Sequence, residues 1–482
     1  MARFPLALGT QSNKGANPMQ GVARLVNCRI EIGGDEQRVK FSAEAVAGLT
    51  LLASLGGVGG VRAMIDVDGV GYAVVGRVVY QFEPGGAFRA IGGMPSDGLV
   101  TMSRNARGAG PEVMIVCDGN AKLITGGALV DITDPDIGSP NSVCTVGNHF
   151  VTSSPDGYLR ASEINEGSSW DALDITQAQS DPDGLLRAVS RGNSVIALGQ
   201  RSTEVWDYSG AATGFPFERT NAFRVGCWSA AGVVSAPVIT RELVTDTIAW
   251  AATDRDGAYA GVIMLDGYVA RKISHHDVDR DMVRCDDPST ITACSWTERG
   301  HAYMAWTIPG VATWVYDTAT SLWHERESKS LNHWRVGATI VLGGRVVGGH
   351  LSLPVLYFVD PDAKDENGDE LTMTLQTPPL HAYPDAISMS KIFLDCVTGV
   401  GLNTTAPANL DPVVMMQMTR DGETWGTEIS RALGRQGHSQ ARLAWHGLGA
   451  TDHRGAGFRF RASAAVTRAF LAASIDGNKL RA

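Results

Sequence analysis

The chain lacks most of the features that announce a membrane span, a nucleic-acid surface or a catalytic centre. No stretch reaches the ~18 uninterrupted apolar residues of a membrane helix. The best, Gly48 to Val61, is broken by glycines, so no membrane insertion is expected. Behind Arg3 the apolar stretch Phe4 to Leu8 is too short for a secretory signal, which predicts a protein made in the cytoplasm and soluble there. Basic residues (41) are outnumbered by acidic ones (51), the net charge is −10, and no dense Lys/Arg block occurs. Binding to nucleic acid through counter-ion release is therefore not supported. The seven cysteines (28, 117, 144, 227, 285, 294 and 396) are odd in number, widely spaced and never in C-x-x-C. They indicate neither a disulfide framework nor a zinc site, and are expected to be reduced and buried.

What is abundant is glycine, 56 of 482 residues, scattered without a collagen period through short apolar runs. Many strands meeting at many tight turns give this pattern, so the expected fold class is all-β. From about residue 60 to 370 one theme recurs: an apolar run, a Gly or Asp-Gly turn, a second run, then an aromatic residue. It starts with Val61 to Phe82 around Asp68-Gly69, where Val78, Tyr80 and Phe82 fall on one face. It returns at 113–124 around Asp118-Gly119, at 150–159 around Pro155-Asp156-Gly157, and at 194–208, 247–273, 292–316 and 336–359. About seven units, roughly 30 to 60 residues apart, predict a β-propeller of six or seven blades, because small twisted sheets bury both faces only by closing into a ring. A pair of β-sandwiches is the alternative that the same spacing permits. Residues 1–58 lack the rhythm and read as an extended segment, with a polar stretch from Asn13 to Gln20. After Thr377-Pro378-Pro379 longer strands are expected at 391–397, 413–418, 441–445 and 457–462, with Phe458 and Phe460 alternating with Arg459 and Arg461. The division expected is 1–58 extended segment, 59–378 propeller and 379–482 C-terminal β-sandwich or platform, which the N-terminal segment completes.

Four constellations could carry chemistry, and each has a plainer reading. His275-His276-Asp277-Val278-Asp279-Arg280-Asp281 crowds possible metal ligands without a regular ligand spacing, and reads as a solvated loop or helix start. Thr419-Arg420-Asp421-Gly422-Glu423-Thr424-Trp425 is similar to a sialidase-type Asp-box but is shorter and occurs once; it reads as a hairpin turn with a packed Trp. Asp360 to Glu370 is carboxylate-rich but does not fit the EF-hand spacing, and reads as an exposed acidic turn. Glycines 56, 57, 59 and 60 fail the G-x-G-x-x-G pattern, since Arg62 stands where the third glycine belongs. There is no P-loop and no G-x-S-x-G elbow. Eleven tryptophans could form a carbohydrate platform, yet Trp206, Trp250, Trp296, Trp306, Trp314, Trp323 and Trp334 recur at strand positions, as packing residues do. No catalytic, cofactor-binding or metal-ligating residue is assigned, and no enzyme is expected.

A set of segments in fixed order resembles a known family. Ser180-Asp181-Pro182-Asp183-Gly184, a strand, then Leu198-Gly199-Gln200-Arg201-Ser202-Thr203-Glu204-Val205-Trp206 is similar to the central segment of the packaged-DNA stabilisation proteins of P22-like short-tailed bacteriophages. The likeness continues through Gly214 to Arg219, Gly226-Cys227, Ile263 to Ser274, Gly300 to Tyr303, Val315-Tyr316-Asp317, Trp323 to Arg326 and Met418 to Gly422. The resemblance implies a homohexameric tail hub or nozzle in the virion, made of a propeller and a platform. Its implied partners are copies of itself, the portal and adaptor above, and tail spike, fibre or needle proteins below. DNA would pass through its channel without sequence-specific binding and be retained in the head until ejection; no catalytic residue or cofactor is implied. The readings this competes with are a phage propeller enzyme acting on host glycans and a lectin-like module for the same sugars.

Overall fold

The computed structural model describes residues 2–480 apart from 16, 18–21, 35, 109, 179, 182, 212, 240–243, 255, 257–259 and 440. Part of the polar stretch 13–20 and Pro182 thus lie outside the described residues. The chain divides into two compact units, Leu51–Val311 with Arg335–Val359, and Met1–Thr50 with Ala312–Trp334 and Asp360–Ala482.

The first unit is a ring of seven small sheets. Blades 1 to 4 are four-stranded and antiparallel, starting with the strands Val61–Val67, Val100–Arg104, Ser142–Val146 and Leu185–Arg191. Blade 5 starts with Val233–Ile239 and carries an extra short strand, Val225–Cys227. Blade 6 contributes Thr292–Glu298 and His301–Ile308 to this unit; the next strands in sequence belong to the other. Blade 7 starts with Val336–Leu342 and is completed by an earlier piece of chain: Ala53 and Leu55 pack with Leu356 and Phe358, and the Leu55 N–H donates to Pro354 O at 2.7 Å. The first strand of each blade lies innermost, and the ring closes from the seventh back to the first.

The hydrophobic cores explain why central strands read as continuous apolar runs. In blade 2, Val113, Ile115 and Cys117 pack towards blade 1, whereas Met114 and Val116 pack towards blade 3. In blade 4, Val195 and Ala197 face blade 3 while Ile196 and Leu198 face blade 5. Each sheet is thus buried on both faces, and successive side chains go to different clusters. Val78, Tyr80 and Phe82 share one cluster, as their alternation predicts. The tight turns are built as the Asp-Gly pairs require: Asp68 and Gly69 have φ of 52° and 84°, Asp118 and Gly119 of 45° and 78°.

The second unit is a sandwich. One sheet runs Cys28–Ile32, Phe41–Ala45, Ala469–Leu480, Ala386–Cys396, Leu443–Ala450, with Ala2–Leu6 also paired to Ala469–Leu480. The other contains Leu322–Arg326, Arg24–Val26, Met373–Gln376, Gly457–Ala462, Val413–Thr419 and Ile429–Ala432. The N-terminal residues therefore complete the C-terminal sandwich. Between the sheets lies one core in which Trp445 and Phe460 meet at 5.7 Å and Phe460 and Phe470 at 6.3 Å.

Candidate functional site

Most of the ring's junctions are encoded in polar residues of the innermost strands. The Val143 N–H of blade 3 donates to the Thr101 hydroxyl of blade 2 at 2.9 Å, and the Ala188 N–H of blade 4 to Ser142 of blade 3 at 2.8 Å. Ser295 of blade 6 donates to Ser235 O of blade 5 at 2.7 Å, and Thr339 of blade 7 to Ser295 O at 2.6 Å. Two arginines do the same work over a longer reach. Arg62 of blade 1 donates to Ser96 O at 2.9 Å and to Gly98 O, both on the segment entering blade 2. Arg187 of blade 4 donates to Ala230 O at 2.8 Å, on the segment entering blade 5, and to Val233 O at 3.3 Å. The closing seam between blades 7 and 1 is made by close approach instead: a Cβ on Gly60 would lie 1.8 Å from Leu351 O, and one on Gly349 2.5 Å from Val61. Each buried seam bond is worth on the order of 1 kcal/mol, and leaving its partner unpaired costs more.

The sandwich offers a cationic row on one sheet face. Arg24 stands opposite Gln376, Gln376 opposite Arg459, and Arg459 opposite Gln417, while Phe458 and Phe460 point into the core. Arg459 lies 3.8 Å over the Trp425 ring, and burial, reinforced by Arg24 and Arg461, pushes its guanidinium down to about 10. Arg461 pairs with Glu428 at 3.4 Å, and Arg24 forks onto Glu325 at 3.0 and 2.6 Å.

The constellations singled out from the sequence are held apart and internally paired. Residues 276–283 form a helix capped by His275, whose Nδ1 accepts from the Asp277 N–H at 3.2 Å. Asp277 pairs with Arg280, Asp279 with Lys272 at 2.6 Å, and Asp281 with Arg284 at 3.1 Å. The helix start is as expected, but Asp277 and Asp281 are buried rather than solvated, because the helix packs on the strand Ala260–Asp266. Asp421 accepts from the Thr424 and Glu423 N–H groups at 2.7 and 2.9 Å, which holds its carboxyl well below the usual range. That is turn chemistry. The acidic turn 360–370 is not wholly exposed: Glu366 is fully buried and accepts from the Trp334 indole at 3.1 Å. No group of three possible metal ligands occurs among the described residues. All seven tryptophans named above are buried, six of them in strands and Trp334 in the loop before Val336–Leu342, with Trp206, Trp250 and Trp306 donating to Glu204, Gly226 O and Gly232 O. Six of the seven cysteines are buried, Cys285 is half-buried, and none forms a disulfide. Burial pushes the Cys144, Cys227 and Cys396 thiols up to about 12, far from nucleophilic.

Sequence reasoning missed the seam residues. A Thr, Ser or Arg near the start of a strand reads as surface, and only aligning the first strand of each repeat would have placed Arg62, Thr101, Ser142 and Arg187 in equivalent positions.

Comparison with known proteins accounts for both units. Residues 40–364 match the family described as Bacteriophage P22 Gp10, beta-propeller, and residues 372–478 match Bacteriophage P22 Gp10, beta-sandwich. This is the make-up of a phage tail structural protein, a component of the virion. The chain belongs to the P22 Gp10 family. No curated protein matches it. Among solved structures, the WD40 β-propeller domain of Doa1 is 12% identical, with 65% of this chain and 97% of that one covered and a TM-score of 0.39. A catalytically inactive virginiamycin B lyase from Staphylococcus aureus with quinupristin is 12% identical over 65% and 98%, with a TM-score of 0.42. The computationally designed Ika8 protein is 14% identical over 73% and 100%, with a TM-score of 0.38. Nothing about binding or activity transfers from these three. Among the described residues, no helix is long and apolar enough to cross a membrane.

Proposed function

We propose that the protein is the hub or nozzle of a short-tailed phage, a homohexamer below the portal and adaptor that extends the DNA channel and retains packaged DNA until ejection. The observation that carries this reading is the family match of both units, 40–364 and 372–478. The hydrogen-bonded seams support it physically, since a ring closed at every junction resists deformation when pressurised DNA stands above it. A net charge of −10 per chain supports a channel that repels phosphates and lets DNA slide. Residues 51–311 with 335–359 act as the ring and residues 1–50, 312–334 and 360–482 as the platform, a division that departs from the expected 59–378 and 379–482 because the chain crosses between the units more than once; Arg459, stacked over Trp425, is offered to a neighbouring protein. The protein assembles from a soluble cytoplasmic pool, works without a cofactor and catalyses no reaction. Electron microscopy of the purified protein mixed with its portal and adaptor tests the reading. A six-fold ring added below the adaptor is expected; a complex that gains no ring overturns it.

A further inference from the structure

At the axis of the ring the innermost strands surround a cavity of about 220 Å³. Its lining includes Arg62 and Arg187 and no carboxylate. This is unexpected in a chain with ten excess negative charges. Every hydrogen bond these arginines make goes to a neutral acceptor: Gly76 O, Ser96 O, Gly98 O and the Cys117 thiol for Arg62, Ala230 O and Val233 O for Arg187. Arg187 makes its bonds through Nη1 alone, and its Nε is buried without a partner. Burial lowers its pKa, and no carboxylate opposes the effect. The rest of the polar wall consists of hydroxyls, among them Thr101, Ser235, Ser295 and Thr339, with Thr292 Oγ1 also buried and unpaired. The four bonds of Arg62 use every Nη hydrogen, whereas those of Arg187 leave its Nη2 and its buried Nε unbonded, and an unpaired buried donor is costly.

We propose that this axial cavity is an anion site that takes one small inorganic oxyanion, phosphate or sulfate. The chemistry selects an oxyanion over a halide, because the Nε–Nη2 edge of Arg187 matches two oxygens of one group and the Thr101 and Thr292 hydroxyls, whose protons the seams do not use, donate to the others. The bound ion would tie Arg187 of blade 4 to hydroxyls of the other innermost strands and stiffen the ring independently of what the ring assembles with.

The test uses the full chain. Thermal unfolding is followed in phosphate and in chloride at matched ionic strength, for the wild type, Arg187→Gln and Arg187→Lys. Phosphate is expected to raise the wild-type midpoint. Its apparent affinity should fall at least roughly tenfold in Arg187→Gln, the loss of one charge-assisted hydrogen bond, and less in Arg187→Lys. The general stabilisation that excluded salts give is common to all three proteins. Equal phosphate increments in wild type and Arg187→Gln overturn the proposal. If the variants fail to fold, equilibrium dialysis of the wild type against radiolabelled phosphate decides: about one ion per chain, displaced by sulfate, supports the site, and no saturable binding rejects it.

Discussion

In the ring the apolar side chains are divided among small clusters, each shared by two neighbouring blades, whereas in the sandwich they form one continuous core around Trp445, Phe460 and Phe470. The two units also join their parts differently. Six of the ring's junctions are sewn by hydroxyls and arginines on the innermost strands and the closing one by close backbone approach, and the sandwich's sheets meet through aromatic packing. A ring built this way can lose one seam and keep its other clusters, while a sandwich with one core is damaged everywhere by a single cavity. Rigidity spread over many junctions suits a part that must keep its shape under load.

The largest expected effect falls on the sandwich. Phe460→Ala removes a fully buried ring that touches both Trp445 and Phe470, and should destabilise that unit by about 3–5 kcal/mol. Hydrogen exchange should show lost protection in Gly457–Ala462 and Ala386–Cys396 but not in Val113–Cys117 of the ring. Equal loss in both would break the contrast.

Acid should sharpen it. Burial pushes His324, in the sandwich unit, down to about 3, with Asp317 only partly opposing. Its neutral form is the folded one, so the unfolded chain takes up a proton first as pH drops below 6.5, and stability falls by about 1.4 kcal/mol per pH unit until the folded-state pKa is reached. At Glu325 burial raises the pKa, but Arg24 and Lys14 outweigh it and hold the carboxyl below its usual value, so its contribution too is lost at low pH. The seam bonds of the ring come from Ser, Thr and Arg, which do not titrate in this window. Near-ultraviolet circular dichroism between pH 7 and 4 should show the sandwich tryptophans loosening first, and His324→Gln should flatten the dependence.

Within the ring, Gly60→Ala forces a Cβ against Leu351 O and should cost up to about 3 kcal/mol, opening the closing seam between Val336–Leu342 and Val61–Val67. The smallest effect is that of Thr101→Val, which keeps the shape but leaves the Val143 N–H without its acceptor, costing about 1–2 kcal/mol. Exchange at Val143 should rise while that at Ala188, on the next seam, stays unchanged.

The blades were legible in the sequence because Asp68-Gly69, Asp118-Gly119 and their counterparts demand hairpins, and apolar runs between them demand burial. All seven recurrences fall on the seven sheets. Less legible was the strand Gly48–Ser54, which completes blade 7 although it lies in the segment that lacks the blade rhythm. A strand borrowed from far along the chain has no hairpin partner beside it to mark it. The seams were illegible for a different reason: Arg62 was noticed only for spoiling a glycine motif, because a polar side chain shows its value only against the carbonyl it reaches. The helix start at 275–281 was legible, but the burial of Asp277 and Asp281 was not, because the strand the helix packs on lies outside the local pattern.

The most direct test of the proposed tail-hub role is a six-fold averaged electron-microscopy reconstruction of the virion that contains this protein. The account predicts six copies around the tail axis below the portal and adaptor, each with a seven-bladed ring and a sandwich, enclosing the DNA path. Seven-bladed density found only as peripheral spikes away from that axis, or in no more than one copy per tail, would contradict it.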